Sequence, residues 1–183
     1  LGLVGSEMCI RDSHMKAFAD LTDAIPELKE YNEKALEPCT IDGRIYGQPF
    51  GVNCTGMFYN KKLLEENGCE VPESWEEFQE TAAKISNEDV KGFAITALQT
   101  EESMYEFLPI LWSMGGDVYR IAEENSKKAF LLLDQMEKEG SLSLQSISLT
   151  MGDLTNQFLK GKIGIMFNSS MAIDSIREGN TDL

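Results

Sequence analysis

An α/β fold is the class this sequence predicts, and three observations carry it. Two apolar runs, residues 92–97 (GFAITA) and 163–167 (IGIMF), are the length of buried strands. Amphipathic helical stretches separate them, which places helices over a mainly parallel sheet. The pair Asp42-Gly43 marks a hairpin, because a type I′ turn needs positive φ at both central residues.

Ahead of the hairpin, residues 14–37 read as short helical pieces. Asp20-Leu21-Thr22-Asp23 offers capping oxygens, and Pro26 suits a first helical turn. After it, Tyr46 and Pro49 bracket an extended segment; Pro49 lacks a ladder N–H, so this is a sheet edge or a linker. Residues 51–56 (GVNCTG) are small and polar and precede the apolar Met57-Phe58-Tyr59, as a crossing between two lobes would. Asn60 is placed to cap a helix over 61–67 that Gly68 ends. Ser74-Trp75-Glu76-Glu77 reads as a capping box, with the Ser74 hydroxyl accepting from the Glu77 N–H and the Glu77 carboxylate accepting from the Ser74 N–H.

The helix it opens runs to about residue 86, with Trp75, Phe78, Ala82 and Ile85 on its buried face. Further helices are expected over 104–114, stopped by Gly115-Gly116, and over 126–139, with Phe130, Leu133 and Met136 toward the core. Residues 154–160 form another, the strand at 163–167 follows, and 171–177 form the last. Trp112 shares a face with Tyr105 and Leu108 and reads as core, and Trp75 reads as structural.

The composition narrows the function. Among 183 residues, 31 are acidic and 16 basic, a net charge of −15, with 42% hydrophobic. That is an ordinary globular balance, and its sign argues against nucleic acid or an anionic membrane as partner, since phosphate binding needs clustered Lys and Arg. No apolar run reaches the roughly 20 residues of a membrane-spanning helix. Residues 1–4 are too short for a signal peptide, and Glu7, Arg11 and Asp12 follow at once. Residues 1–13 (LGLVGSEMCIRDS) have no periodicity, resemble translated adapter sequence, and are expected to stand outside the fold as a non-native leader.

Catalytic and metal chemistry find little support. Cys9, Cys39, Cys54 and Cys69 form neither a disulfide framework nor a CxxC site, and the single histidine, His14, leaves no zinc ligand set. No cofactor is expected. The single histidine also rules out most Ser-His and Cys-His nucleophile arrangements. Glu101 and Glu102 are adjacent carboxylates, but neighbours on a helix diverge by roughly 100° instead of converging on a substrate. Gly161-Lys162 lacks both the earlier glycine and the following Ser/Thr of a phosphate loop.

The run at 42–64, DGRIYGQPFGVNCTGMFYNKKLL, resembles a segment of the bacterial extracellular solute-binding proteins, the sugar-type receptors of ABC importers related to maltose-binding protein. Three more stretches resemble that family in order: PESWEEF at 72–78, LPILWSMGG at 108–116 and FLKGKIGIMFN at 158–168. Together they cover residues 42 to about 177. The resemblance implies a class II periplasmic-binding-protein-like α/β fold, of which this chain holds most of the second lobe and a small part of the first. On that view residues 14–50 are the tail of lobe one, 51–56 the hinge crossing and 57–183 an incomplete lobe two, so the chain is expected to be a fragment.

The resemblance also implies a non-catalytic receptor that binds a sugar or oligosaccharide between its lobes and delivers it to permease subunits. Such a protein works outside the cytoplasmic membrane, as a cell-surface lipoprotein or in the periplasm, and is a monomer when full length. By position, Asn53 at the hinge, Ser103 and Tyr105 at one helix start, and Ser169, Ser170 and Met171 at another match the family's cleft-lining places. Two departures stand out: Gly51 where an acidic residue is common, and Met171 where an aromatic, usually tryptophan, often follows. A non-sugar solute such as a polyamine, peptide or phosphonate is the alternative, and a carbohydrate-active hydrolase is the competing enzyme class.

Overall fold

The computed structural model describes residues 18–179, so the leader at 1–13 and His14 lie outside the described residues. The chain divides into two compact units, Leu1–Cys54 and Thr55–Leu183.

The first unit holds a 3-10 turn at Pro26–Glu30, helix α1 (Glu33–Leu36), a second 3-10 turn at Glu37–Cys39, and the hairpin of β1 (Thr40–Ile41) and β2 (Arg44–Ile45). Asp42 and Gly43 have φ of 51° and 75°, the two positive values a type I′ turn requires. Pro26 opens its turn, Asn32 caps α1 by accepting from the Lys34 N–H, and Leu28, Ala35 and Ile45 are buried. Residues 46–54 continue without helix or strand.

The second unit is a three-stranded sheet with helices on both faces. In chain order it comprises β3 (Thr55–Tyr59), α2 (Lys61–Glu66), α3 (Trp75–Ile85), β4 (Lys91–Ala94), α4 (Glu101–Ser113), α5 (Glu124–Lys138), α6 (Met151–Leu159), β5 (Ile163–Ser169) and α7 (Ala172–Gly179). The strand order is β3-β5-β4. Strand β4 runs parallel to β5, pairing Phe93 with Ile165, whereas β3 runs antiparallel to it, pairing Met57 with Phe167. The sheet is therefore mixed, not mainly parallel as expected. The helical crossovers that enforce parallel pairing connect β4 to β5, but β3 is entered from extended chain and carries no such constraint.

Alternation along the strands sorts the core into two faces. Phe93 and Ile165 point into a cluster with Phe78, Ile85, Ile110 and Met136, under α3, α4 and α5. Ala94 and Met166 point the other way, onto Leu154 and Phe158 of α6. Trp75 completes the first face: its ring meets Phe78 edge-on at 5.3 Å and Phe167 at 6.0 Å, and its Nε1 donates to Ser113 Oγ. Helix α3 lies directly on β4, because a Cβ at Gly92 would come within 1.9 Å of the Ala82 carbonyl oxygen. The Ser86 hydroxyl bridges the same approach, donating to that carbonyl at 2.7 Å and accepting from the Gly92 N–H at 2.8 Å.

Helix ends follow their sequence signals with one exception. Asn60 accepts from the Leu63 N–H, as a cap should. Helices α2, α4, α5 and α6 all stop at a glycine of positive φ, namely Gly68, Gly115, Gly140 and Gly161. Each stop uses paired 6→1 and 5→2 bonds; at α4, Gly116 N–H donates to Leu111 O and Gly115 N–H to Trp112 O, both at 2.9 Å. The exception is Ser74. Its hydroxyl does accept from Glu77 N–H, but the Glu77 carboxylate accepts from Glu73 N–H at 2.8 Å, not from Ser74. The reciprocal capping box is at α6, between Thr150 and Asp153.

Two expected core residues lie outside. Trp112 is 56% exposed, since α4 turns Glu106, Ile110 and Leu111 inward and Trp112 sits about 100° further round. Phe130 is 46% exposed, because α5 buries Ser126, Ala129, Leu132 and Met136 instead, and its ring meets Phe107 of α4 at 4.8 Å. Among the described residues, no helix is long and apolar enough to cross a membrane.

Candidate ligand-binding site

Open α/β sheets hold ligands beyond the carboxyl ends of their strands. In the second unit that end is marked by two neighbouring depressions. The chain leaving β4 passes through the buried Ile95 and Thr96 into the first, of about 780 Å³, lined by residues 98–104 and so by Ser103. The end of β5 forms the second, of about 400 Å³, where Ser169 and Met171 meet Met151, Thr155 and Asn156 of α6. Glu102 lines the first and Met151 the second, and a 2.9 Å hydrogen bond from Met151 N–H to Glu102 Oε2 joins them.

The sequence-expected residues fall unevenly on this surface. Ser169 and Met171 are brought together: the Met171 N–H donates to Ser169 Oγ at 3.2 Å, which leaves the Ser169 hydroxyl proton for a solute. The Met171 side chain is 72% exposed. Ser103 donates its hydroxyl proton to the Leu98 carbonyl, so it can only accept from a solute. Tyr105 is half-buried, and its hydroxyl oxygen is enclosed with no hydrogen-bond partner among the described residues. Ser170 is half-buried beside Met171 and lines neither depression. Asn53 belongs to the first unit, where it is half-buried in the extended stretch before β3.

Two buried polar residues behind this surface are not among the site residues expected from sequence. Glu106 is wholly buried, and its carboxylate accepts from Thr96 N–H at 2.6 Å and from Thr96 Oγ1 at 3.4 Å. Burial pushes its carboxyl up to about 7; the Thr96 hydrogen bonds oppose that rise, and the nearby Glu102 charge adds to it. Asn168 is buried as well: Nδ2 donates to Met151 O and Thr155 Oγ1, and Oδ1 accepts from Ser169 N–H. A signal existed for Glu106, the lone charge amid the apolar run MYEFLPIL. Asn168 closes the family-like stretch at 158–168, but its bonded partners, 13 and 17 residues away, carried no local signal.

The surface suits a polar solute without negative charge. Its linings supply hydroxyls, an amide, methionine thioethers and the carboxylates of Glu101 and Glu102, and no Lys, Arg or His among the described residues.

Comparison with known proteins identifies the family. The chain is 28% identical over 155 residues to a binding protein of Brucella abortus, covering 80% of this chain and 38% of that one. It is 27% identical over 96 residues to the galactooligosaccharide-binding protein of Bacillus subtilis, covering 52% of this chain and 21% of that one. Among solved structures, maltose-bound T. maritima MalE3 superposes with a TM-score of 0.80 at 28% identity, covering 87% of this chain and 44% of that one. The chain thus spans less than half the length of these relatives. The family model described as bacterial extracellular solute-binding protein matches residues 6–183, and the chain belongs to that family.

Proposed function

We propose that the chain is part of the solute-binding component of an ABC importer, one that takes up a sugar or oligosaccharide at the carboxyl ends of β4 and β5 and presents it to permease subunits. The observation that carries this reading is the lining of the two depressions, in which hydroxyl, amide and carboxylate groups stand without a single basic side chain among the described residues. Sugar hydroxyls need such donors and acceptors, whereas a phosphonate or other anion needs cations. The maltose named for MalE3 and the galactooligosaccharide named for the Bacillus subtilis relative support the sugar class.

In this reading Ser103, Ser169 and Met171 contact the solute, Ser170 stands beside Met171, and Tyr105 backs the wall. Residues 57–183 belong to lobe two, 51–56 to the hinge and 14–50 to the tail of lobe one. The protein is a monomeric, non-catalytic receptor held outside the cytoplasmic membrane, by a lipid anchor or free in the periplasm.

A second reading has its own observation: Glu101 and Glu102 line one depression, and two carboxylates favour a cationic solute such as a polyamine. Titration calorimetry of a version completed to the length of its relatives, with maltose, a galactooligosaccharide and spermidine, separates the two. Heat with either sugar and none with spermidine is the expected result; the reverse pattern overturns the sugar class.

A further inference from the structure

Met151 is the first residue of α6, and its backbone groups lead in different directions. Its N–H donates to the Glu102 carboxylate of α4 at 2.9 Å. Its carbonyl accepts from Asn168 Nδ2 at the end of β5, at 3.2 Å, and from Thr155 Oγ1 at 3.0 Å. Asn168 then accepts from the Ser169 N–H at 2.7 Å. An unbroken polar run, Glu102 to Met151 to Asn168 to Ser169, therefore connects the wall of one depression to the wall of the other.

Glu102 is the anchoring end of that run. The first N–H groups of a helix have no partner within it, and an anion there is favoured by the helix dipole. The Thr150–Asp153 box satisfies the N–H groups of Thr150 and Asp153, which leaves the Met151 N–H to Glu102. A charge-assisted bond of this kind is roughly twice as strong as a neutral one. Its reach is also unusual, since Glu102 and Met151 are 49 residues apart and sit on helices over opposite faces of the sheet.

We propose that Glu102 is a positioning residue of the ligand site: by holding the Met151 N–H it fixes the start of α6 and, through Asn168, sets where Ser169 and Met171 stand. The inference rests on the placement of the site at the ends of β4 and β5. Glu106, one turn along α4, reports on it, because the Glu102 charge is among the causes that raise the Glu106 carboxyl. The segment after β4 presents Thr96 to the Glu106 carboxyl, through its N–H and its hydroxyl.

The test needs no solute at first. Amide exchange and amide shifts are recorded for the wild-type chain, E102A and E102Q, with carboxyl shifts followed against pH for Glu106. In E102A the Met151 amide should exchange faster by about tenfold or more, and the Ser169 and Met171 amides should shift. E102Q keeps the acceptor without the charge, so it should restore all three amides while the Glu106 titration moves to lower pH. Unmoved Ser169 and Met171 amides in E102A, or a failure of E102Q to restore them, overturns the proposal. Maltose is then added: a wild-type response weakened in E102A and retained in E102Q extends the role to binding. If wild type gives no maltose response, the sugar reading fails while the exchange result still decides the role of Glu102.

Discussion

The carboxylate of Glu106 and the N–H of Thr96 are 2.6 Å apart, in a place where neither residue reaches solvent to any extent. The pair ties α4 to the segment leaving β4, just behind the candidate site. It has a pH signature. Burial raises the folded-state carboxyl from an ordinary 4.5 to about 7, so between those values the unfolded chain loses its proton and the folded chain keeps it. The associated stability is present in full below pH 4.5 and is lost as pH rises toward 7, on the order of 3 kcal/mol. Glu106→Gln keeps an acceptor for the Thr96 N–H and removes the titration. Urea unfolding between pH 4.5 and 7.5 should show a falling midpoint for wild type and a flatter profile for the variant.

Gly92→Ala tests the contact between α3 and β4. The added Cβ would stand 1.9 Å from a backbone oxygen, which cannot rotate away as a side chain could, so the helix or the strand must move. A loss of about 3 kcal/mol or more is expected. A urea midpoint equal to wild type would show that the two elements are less closely packed than described.

Met171→Trp tests the sugar reading at the position where the chain departs from its family's usual aromatic. The side chain is 72% exposed, so a larger one meets no packed core. An indole face stacks on the apolar side of a sugar ring, a gain of roughly 1 kcal/mol. Maltose affinity should rise several-fold by calorimetry, with the thermal midpoint unchanged. Weaker binding would place Met171 outside the sugar contacts.

Local features were the most legible in the sequence. The hairpin at Asp42-Gly43, the cap at Asn60 and the glycine stops at 68 and 115 each depend on a few adjacent residues, and each is found. Features set by distant partners were not. Glu77 passes over Ser74 for the Glu73 N–H, a choice between two neighbouring donors that the capping-box spacing alone does not make. The direction of β3 depends on its pairing with β5, more than a hundred residues later in the chain. Trp112 and Phe130 were assigned to the core because periodicity fixes how residues share a face, not which face the sheet receives. For the site, position in the family motifs found Ser169 and Met171 on one surface. It did not find the polar run behind them, because Asn168, Met151 and Glu102 become neighbours only when β5, α6 and α4 pack.

The chain has two tryptophans, and the fold gives them different surroundings. Trp75 is wedged among Phe78 and Phe167 with its Nε1 bonded to Ser113, while Trp112 stands more than half exposed on the helix that begins with Glu101 and Glu102. The half-buried Trp75 should therefore emit to the blue of Trp112 and quench less readily. Acrylamide should quench Trp112 more strongly than Trp75, which makes the residual emission a gauge of whether the aromatic face of the sheet is intact.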